Sequence, residues 1–252
     1  MGSLAIGFSG GVDSTFLLKV AHDILKDKAL AVIARSSTYP EREFRQAEDF
    51  VNKMGIKHVV IVSEELDIEG FSGNPVNRCY FCKKELFTKV SEVARENGIQ
   101  YMADGANFDD LSDYRPGMLA TTELQVVSPL KESGLTKDNI RLLSKEMGLP
   151  TWDKPAFACL ASRFPYGQEI TVEKLGMVDK AEQYLLDTGF RQVRVRHHGE
   201  VARIEVSVNE RNKFFSEEIM DKVHAKLNEI GFAYIALDLK GYRTGSMNEA
   251  VI

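Results

Sequence analysis

The sequence is short of several things, and each shortage excludes a class of protein. Its 252 residues include only three cysteines, an odd number that cannot pair completely, so a disulfide-stapled scaffold is excluded. Apolar runs such as residues 29–34 fall far below the roughly 20 residues that a membrane-spanning helix needs, so no membrane partner is expected. A basic excess is missing: 32 Lys+Arg stand against 37 Asp+Glu, a formal net charge of −5, and the slight acidic surplus holds on both sides of Gly167. Phosphate neutralisation in bulk is unavailable, so nucleic acid is not the expected partner. The first residues carry no basic stretch and run straight into a motif, which predicts a cytoplasmic protein whose thiols stay reduced. Internal repeats, low-complexity tracts and heptads are missing too.

What is present suits a folded globular chain: 44% apolar, 27% charged and 9% aromatic residues. At this length one large domain or two unequal ones can form. Residues 1–165 alternate apolar runs (4–8, 29–34, 58–62, 101–104) with helical patterns (14–25, 41–54, 82–97, 137–147). That alternation predicts an α/β domain with a parallel sheet and crossover helices. Residues 168–252 read differently: a helix capped by Thr171 and stopped at Gly189, a hairpin of residues 192–196 and 201–208 about Gly199, a helix from Ser216 to Gly231, and a strand at 233–239. This predicts a smaller C-terminal α+β domain.

Between the first strand and the first helix lies Ser9-Gly10-Gly11-Val12-Asp13-Ser14. Glycines let the backbone approach an anion and take positive φ, and the helix that follows offers unpaired N–H groups at the positive end of its dipole. Ser9 and Ser14 add hydroxyl donors. Asp13 is out of place beside an anion unless a divalent cation bridges the two, which implies Mg²⁺. The segment resembles the SGGxDS loop of the PP-loop ATP pyrophosphatase superfamily, whose domain is of the adenine nucleotide alpha-hydrolase-like type. No Gly-Lys-Ser/Thr follows, so it is not a Walker loop. The resemblance implies ATP binding by Ser9, Gly10, Gly11, Asp13 and Ser14, cleavage between the α- and β-phosphates, and adenylation of a substrate oxygen that a nucleophile then attacks.

The cysteines are Cys79 and Cys82, a CxxC opening a helix, and Cys159 in Ala158-Cys159-Leu160-Ala161-Ser162-Arg163. Four readings stand side by side. Zinc wants four ligands, and His58, His197, His198 and His224 have no metal-site spacing. A redox pair at Cys79 and Cys82 lacks the thioredoxin order of elements. Packing cysteines need no chemistry at all. Three thiolates suit an iron–sulfur cluster that leaves one iron open. Cys159 is also a candidate nucleophile, since a cation such as Arg163 nearby favours the thiolate.

A wider set of motifs narrows the field. The phosphate loop, Asn77-Arg78-Cys79-Tyr80-Phe81-Cys82-Lys83, Asp104-Gly105-Ala106-Asn107-Phe108-Asp109-Asp110, Asp113-Tyr114-Arg115-Pro116-Gly117, Cys159-Leu160-Ala161-Ser162-Arg163 and Gly241-Tyr242-Arg243-Thr244-Gly245-Ser246 occur in this order. Together they resemble the LarE family of ATP-dependent sulfur transferases, over nearly the whole chain. The resemblance implies sulfur insertion into pyridinium-3,5-biscarboxylic acid mononucleotide, a step towards the nickel-pincer nucleotide cofactor of lactate racemase. Some members of that family carry only the cysteine matching Cys159 and sacrifice its sulfur. The presence of Cys79 and Cys82 makes this chain similar to the three-cysteine type, in which a 4Fe–4S cluster ligated by Cys79, Cys82 and Cys159 delivers sulfide from a donor the sequence does not identify.

In Val193-Arg194-Val195-Arg196 and Ala202-Arg203-Ile204-Glu205-Val206, period-two geometry puts Arg194 and Arg196 on one face of their strand and Arg203 and Glu205 on one face of theirs, so that if the strands pair in register three guanidiniums and a carboxylate share a surface. Guanidinium forks suit phosphate and carboxylate, though a solvated face with a cross-strand pair accounts for the same pattern. The family resemblance implies Arg194, Arg196 and Ser162 as substrate-phosphate ligands, and Glu205 is a candidate base or metal ligand. Asp104, Asn107 and Asp110 follow a predicted strand end, where parallel sheets place ligands, but turn chemistry explains them equally. Tyr242-Arg243-Thr244-Gly245-Ser246 is either a closing segment or a hairpin turn. A homo-oligomer is expected. Two other functions share the loop: a tRNA-thiolating PP-loop enzyme, which needs a basic surface, and an NAD-synthetase-like amide ligase, which needs no cysteine.

Overall fold

The computed structural model describes residues 1–112 and 116–243. The chain forms two compact units: Met1–Ile68 with Val76–Phe157, and Glu69–Pro75 with Ala158–Ile252. The sequence reading divided the chain at 165–168. The structure assigns Cys159, Ser162 and Arg163, together with a short earlier segment, to the second unit.

The first unit runs β1 (Leu4–Gly7), α1 (Val12–Leu25), β2 (Ala29–Arg35), α2 (Glu41–Met54), β3 (His58–Val62), α3 (Arg78–Glu96), β4 (Tyr101–Ala103), α4 (Gly117–Glu123), α5 (Pro129–Glu132) and α6 (Lys137–Glu146). The strands make one parallel sheet in the order β3-β2-β1-β4. The central strands β1 and β2 are continuous apolar runs because both their faces are covered, whereas the edge strand β3 leaves Val60 and Val62 exposed. Leu4, Ile6, Ala31 and Ile33 pack with Phe16, Leu17, Phe44, Phe50 and Ile140 from α1, α2 and α6. Ala5, Leu30 and Val32 point the other way, against Phe87, Val90 and Val93 of α3. The chain steps outward from β1 to β3 and then returns past β1 to β4. The strand order therefore reverses between β1 and β4, and at such a point the carboxyl ends of a parallel sheet open a ligand crevice.

The second unit contains α7 (Val172–Asp187), β5 (Val193–His198), β6 (Val201–Val206), α8 (Glu217–Ile230) and β7 (Tyr234–Leu237). β5 and β6 pair antiparallel, and β7 joins β6 in parallel. Thr171 caps α7 by accepting from the Lys174 N–H, as its sequence position predicts. The borrowed segment is pinned by Asn74, fully buried at φ +52. Its Nδ2 donates to the carbonyls of Phe164 (3.1 Å) and Pro165 (2.7 Å), and its own carbonyl accepts from the Gly167 N–H at 3.0 Å.

Two details depart from the sequence reading. α3 begins at Arg78 instead of Cys82, so both CxxC thiols stand on its first turns. The short helices α4 and α5 were not anticipated; each is led by a proline, Pro116 before α4 and Pro129 at the start of α5.

Candidate active site

In the first unit, the loop after β1 places Ser9 to Ser14 at the switch point. Gly10 has φ +62, and a Cβ on it would lie 3.0 Å from the Ala47 Cβ and 3.2 Å from the Ala47 Cα on α2. No side chain can be added there without moving the helix. Gly11 precedes α1 with extended backbone and no side-chain cap, so the first N–H groups of α1 are left for an anion. Gly105, after β4, fits because it lacks a side chain: a Cβ would meet the Ser14 nitrogen at 3.0 Å. Ser9 Oγ and Ser14 Oγ share a hydrogen bond of 3.1 Å, and the Tyr39 hydroxyl donates to the Ser9 carbonyl. Burial pushes the Tyr39 pKa well above its ordinary value, so it remains a donor.

Two lysines absent from the sequence reading complete this half. Lys154 Nζ reaches the Gly10 carbonyl (3.1 Å), Gln46 (2.9 Å) and Glu43 (2.7 Å). Lys137 Nζ donates to Asp13 Oδ2 at 2.5 Å. The other oxygen, Asp13 Oδ1, is buried with no hydrogen-bond partner. A buried carboxylate oxygen left open in an anion-binding loop is the donor that a nucleotide-bound Mg²⁺ uses, so the loop fits that ion. Asp104 is a different case: it takes Ser128 Oγ (2.8 Å), the Ala106 N–H (3.2 Å) and Lys83 (3.5 Å). Asn107 and Asp110 make turn bonds, Asp110 Oδ2 accepting from the Asn107 N–H at 3.0 Å.

In the second unit, Cys159 precedes a tight turn at residues 160–163. Its carbonyl accepts from Ser162 Oγ (2.8 Å) and Arg163 Nη1 (3.0 Å). Arg163 is fully buried and bidentate on Glu182 of α7, at 2.8 and 2.9 Å. Burial works against the Arg163 charge, yet the Glu182 carboxylate outweighs it and raises the pKa, with a further contribution from the Cys159 sulfur. Glu182 had a sequence signal: it falls in the apolar stripe Leu175, Val178, Leu185 of α7, where an unpaired carboxylate cannot sit.

The first hairpin strand runs two residues further than the sequence pattern predicts, to His198, and the register sets Arg194 opposite Glu205 and Arg196 opposite Arg203, so all four share one surface. The face it makes is buried. Arg194 and Arg196 are 6% and 4% exposed and Glu205 is 0%, so the solvated-face explanation is replaced by a buried ion network. Glu205 binds Arg196 at 2.7 Å and Arg203 at 3.1 Å. Arg196 Nη1 reaches the Ser162 carbonyl at 3.0 Å, and the Arg194 guanidinium lies over the Tyr242 ring at 5.1 Å. Burial first, and the positive charge of Arg163 second, push Arg194 down to about 10. The structure thus brings Cys159, Ser162, Arg194, Arg196 and Glu205 into one unit and Ser9 to Ser14 into the other. Thr244, Gly245 and Ser246 lie outside the described residues.

None of the cysteines is in a disulfide; Cys79 is exposed, and Cys82 and Cys159 are half-buried. Cys79 and Cys82 are three apart on α3, hence on one helix face. Cys82 Sγ lies 3.8 Å from Glu65 Oε1, whose pKa burial raises. Three reachable thiols are the soft donor set that iron–sulfur clusters use. Among the described residues, no three His, Cys, Asp or Glu side chains are gathered into a metal site.

Over 98% of its length the chain is 36% identical to the pyridinium-3,5-bisthiocarboxylic acid mononucleotide synthase of Lactiplantibacillus plantarum, covering 90% of that protein. The chain belongs to this family, the LarE sulfur transferases. It is an ATP-using sulfurtransferase. An uncharacterised protein of Synechocystis is 43% identical over 98% of this chain and 92% of its own. The family model described as NAD synthase matches residues 1–97, the part of the chain that carries the phosphate loop. A glutamine-hydrolysing GMP synthase of Chlamydia caviae is 26% identical over 69% of this chain and 36% of its own. Among the described residues no helix is long and apolar enough to cross a membrane.

Proposed function

We propose that the chain converts a carboxylate of pyridinium-3,5-biscarboxylic acid mononucleotide to a thiocarboxylate, within synthesis of the nickel-pincer nucleotide cofactor. The observation that carries this reading is full-length similarity to the Lactiplantibacillus synthase in a chain that holds both an open phosphate loop and a buried arginine cluster. Ser9, Gly10, Gly11 and Ser14 cradle the triphosphate of ATP through backbone N–H and hydroxyl donors, with Asp13 as ligand to Mg²⁺. The substrate carboxylate attacks the α-phosphorus, and the bond to the β-phosphate oxygen breaks with its electron pair leaving on pyrophosphate. A sulfide nucleophile then adds to the acyl-adenylate carbonyl, AMP leaves, and a thiocarboxylate remains.

Arg194 and Arg196 hold the mononucleotide phosphate, and Ser162 sits beside them. Glu205, occupied by two guanidiniums, is better placed to orient Arg196 and Arg203 than to remove a proton. Cys159, whose carbonyl is held by Ser162 and Arg163, is the reactive sulfur of the second unit. Cys79, Cys82 and Cys159 would ligate a 4Fe–4S cluster, which supplies transferable sulfide when bound. The reading places the enzyme in the cytoplasm as a homo-oligomer.

The test is product mass. Anaerobically reconstituted protein with ATP, Mg²⁺ and the dicarboxylate should yield AMP, pyrophosphate and a product in which sulfur replaces oxygen. Cys79→Ala, Cys82→Ala and Cys159→Ala should each abolish cluster absorbance. An amide in place of the thiocarboxylate, or normal cluster loading in any one variant, overturns the corresponding part.

A further inference from the structure

Asp13 presents its two oxygens in different states: Oδ2 is bound to Lys137 Nζ, and Oδ1 is buried and open. Lys137 is the first residue of α6. Its backbone is fixed from two directions. Its N–H donates to Asp109 Oδ2 at 2.8 Å, and Thr136 and Asn139 close a reciprocal cap around the start of the helix. Its side chain is not fixed in this way, being about one-third exposed and ending in a compact, rotatable point charge.

The position of this ammonium matters because of what surrounds it. A carboxylate at the head of α1 competes with incoming phosphates for the same N–H groups and the same positive dipole end. Lys137 cancels that charge through its ion pair with Asp13. A divalent cation bound to ATP must take the Asp13 carboxylate, and an ammonium on the same carboxylate opposes it.

We propose that Lys137 is an exchangeable counter-cation. It neutralises Asp13 in the empty loop, yields that carboxylate to Mg²⁺, and moves to the β- and γ-phosphates, where it holds pyrophosphate as the bond to the α-phosphate breaks. Lys137 stays protonated throughout, and no bond to it forms or breaks. The inference rests on the reading that ATP is cleaved at this loop. It assigns a pyrophosphate ligand that neither the loop motif nor its glycines contain.

The experiment separates the two. Mn²⁺ is titrated into the holoenzyme without nucleotide and followed by its electron paramagnetic resonance signal. Removing the competitor in Lys137→Gln should tighten Mn²⁺ binding about three- to fivefold, the worth of a partly exposed ion pair. With ATP and the dicarboxylate, the same variant should lose at least about tenfold in kcat for pyrophosphate release. Lys137→Arg, which keeps the charge, should return Mn²⁺ affinity to the wild-type value and recover part of the rate. Unchanged Mn²⁺ affinity in Lys137→Gln overturns the exchange. So does an undiminished kcat, or an equal loss in Lys137→Arg and Lys137→Gln. If the wild type releases no pyrophosphate with any carboxylate, the reading of function fails while the Mn²⁺ competition can still be measured.

Discussion

The two units present their hydrogen-bond donors by opposite means. In the first, the donors are backbone N–H groups exposed by Gly10 and Gly11 at the head of α1. They carry no net charge, and Lys137 and Lys154 pair with the neighbouring Asp13 and Glu43. In the second, the donors are buried guanidiniums, and a buried charge is costly unless it is paired. Glu182 and Glu205 supply that pairing, to Arg163 and Arg196. The difference teaches where each unit is vulnerable: the loop through backbone shape, the arginine cluster through charge.

The largest effect should come from breaking the charge balance. Glu182→Gln keeps shape and removes the counter-charge of a fully buried Arg163. It should cost about 3–5 kcal/mol of stability, read from urea unfolding. A loss under about 1 kcal/mol would mean that neighbouring groups already satisfy Arg163.

Gly10→Ala attacks shape instead. With φ +62 and Ala47 at 3.0 Å, the loop must shift. Pyrophosphate release should fall about 100-fold, because misplacement near 1 Å costs that much. Thermal stability should change far less, and substrate binding by the arginine unit should be retained in equilibrium dialysis without ATP.

The smallest effect is on pH, and it too belongs to the second unit. Burial lowers the His197 pKa from 6.5, helped by the positive charge of Lys174; its ring is packed against Phe164 and Phe232, and His198, its neighbour along β5, is itself shifted downward by burial and by Arg203. The unfolded chain therefore takes the proton first, and stability declines as pH falls below 6.5 towards the depressed folded value. Glu182 acts lower down. Burial pushes its pKa up, Arg163 more than reverses this, and the net shift is downward from 4.5. Its contribution is complete above 4.5 and is lost as pH falls through the lower folded value. Urea midpoints measured across this range should show two separate declines on acidification, and a midpoint that rises on acidification would contradict both groups.

Much of this was legible in the residues, for physical reasons. The phosphate loop declares itself because glycine and a helix head are needed together in sequence. That Arg194 and Arg196 share a strand face follows from period two, whereas the register opposite Glu205 depends on the first strand running to His198, which its residues did not announce. Lys137 and Lys154 were not legible, because each reaches the loop from more than a hundred residues away and nothing local marks a lysine that does so. Glu182 was legible in principle, as a carboxylate in an apolar stripe. Its partner Arg163 was noticed only for its nearness to Cys159, since contact across 19 residues leaves no periodic trace. The start of α3 at Arg78 is not legible, because Arg78 and Cys79 carry no strong helix signal, whereas the apolar face that follows does.

The borrowed segment around Asn74 bears on how the chain is made. Translation delivers residues 69–75 early, then the whole of residues 76–157, and only afterwards the carbonyls of Phe164 and Pro165 that Asn74 grips. The first unit can therefore close on the ribosome while a stretch of its neighbour, held at φ +52 in the finished fold, still waits for its partners. For the same reason the gene cannot be divided cleanly at codon 157. A fragment starting at residue 158 would possess every strand and helix of the second unit and still lack the pin that closes it.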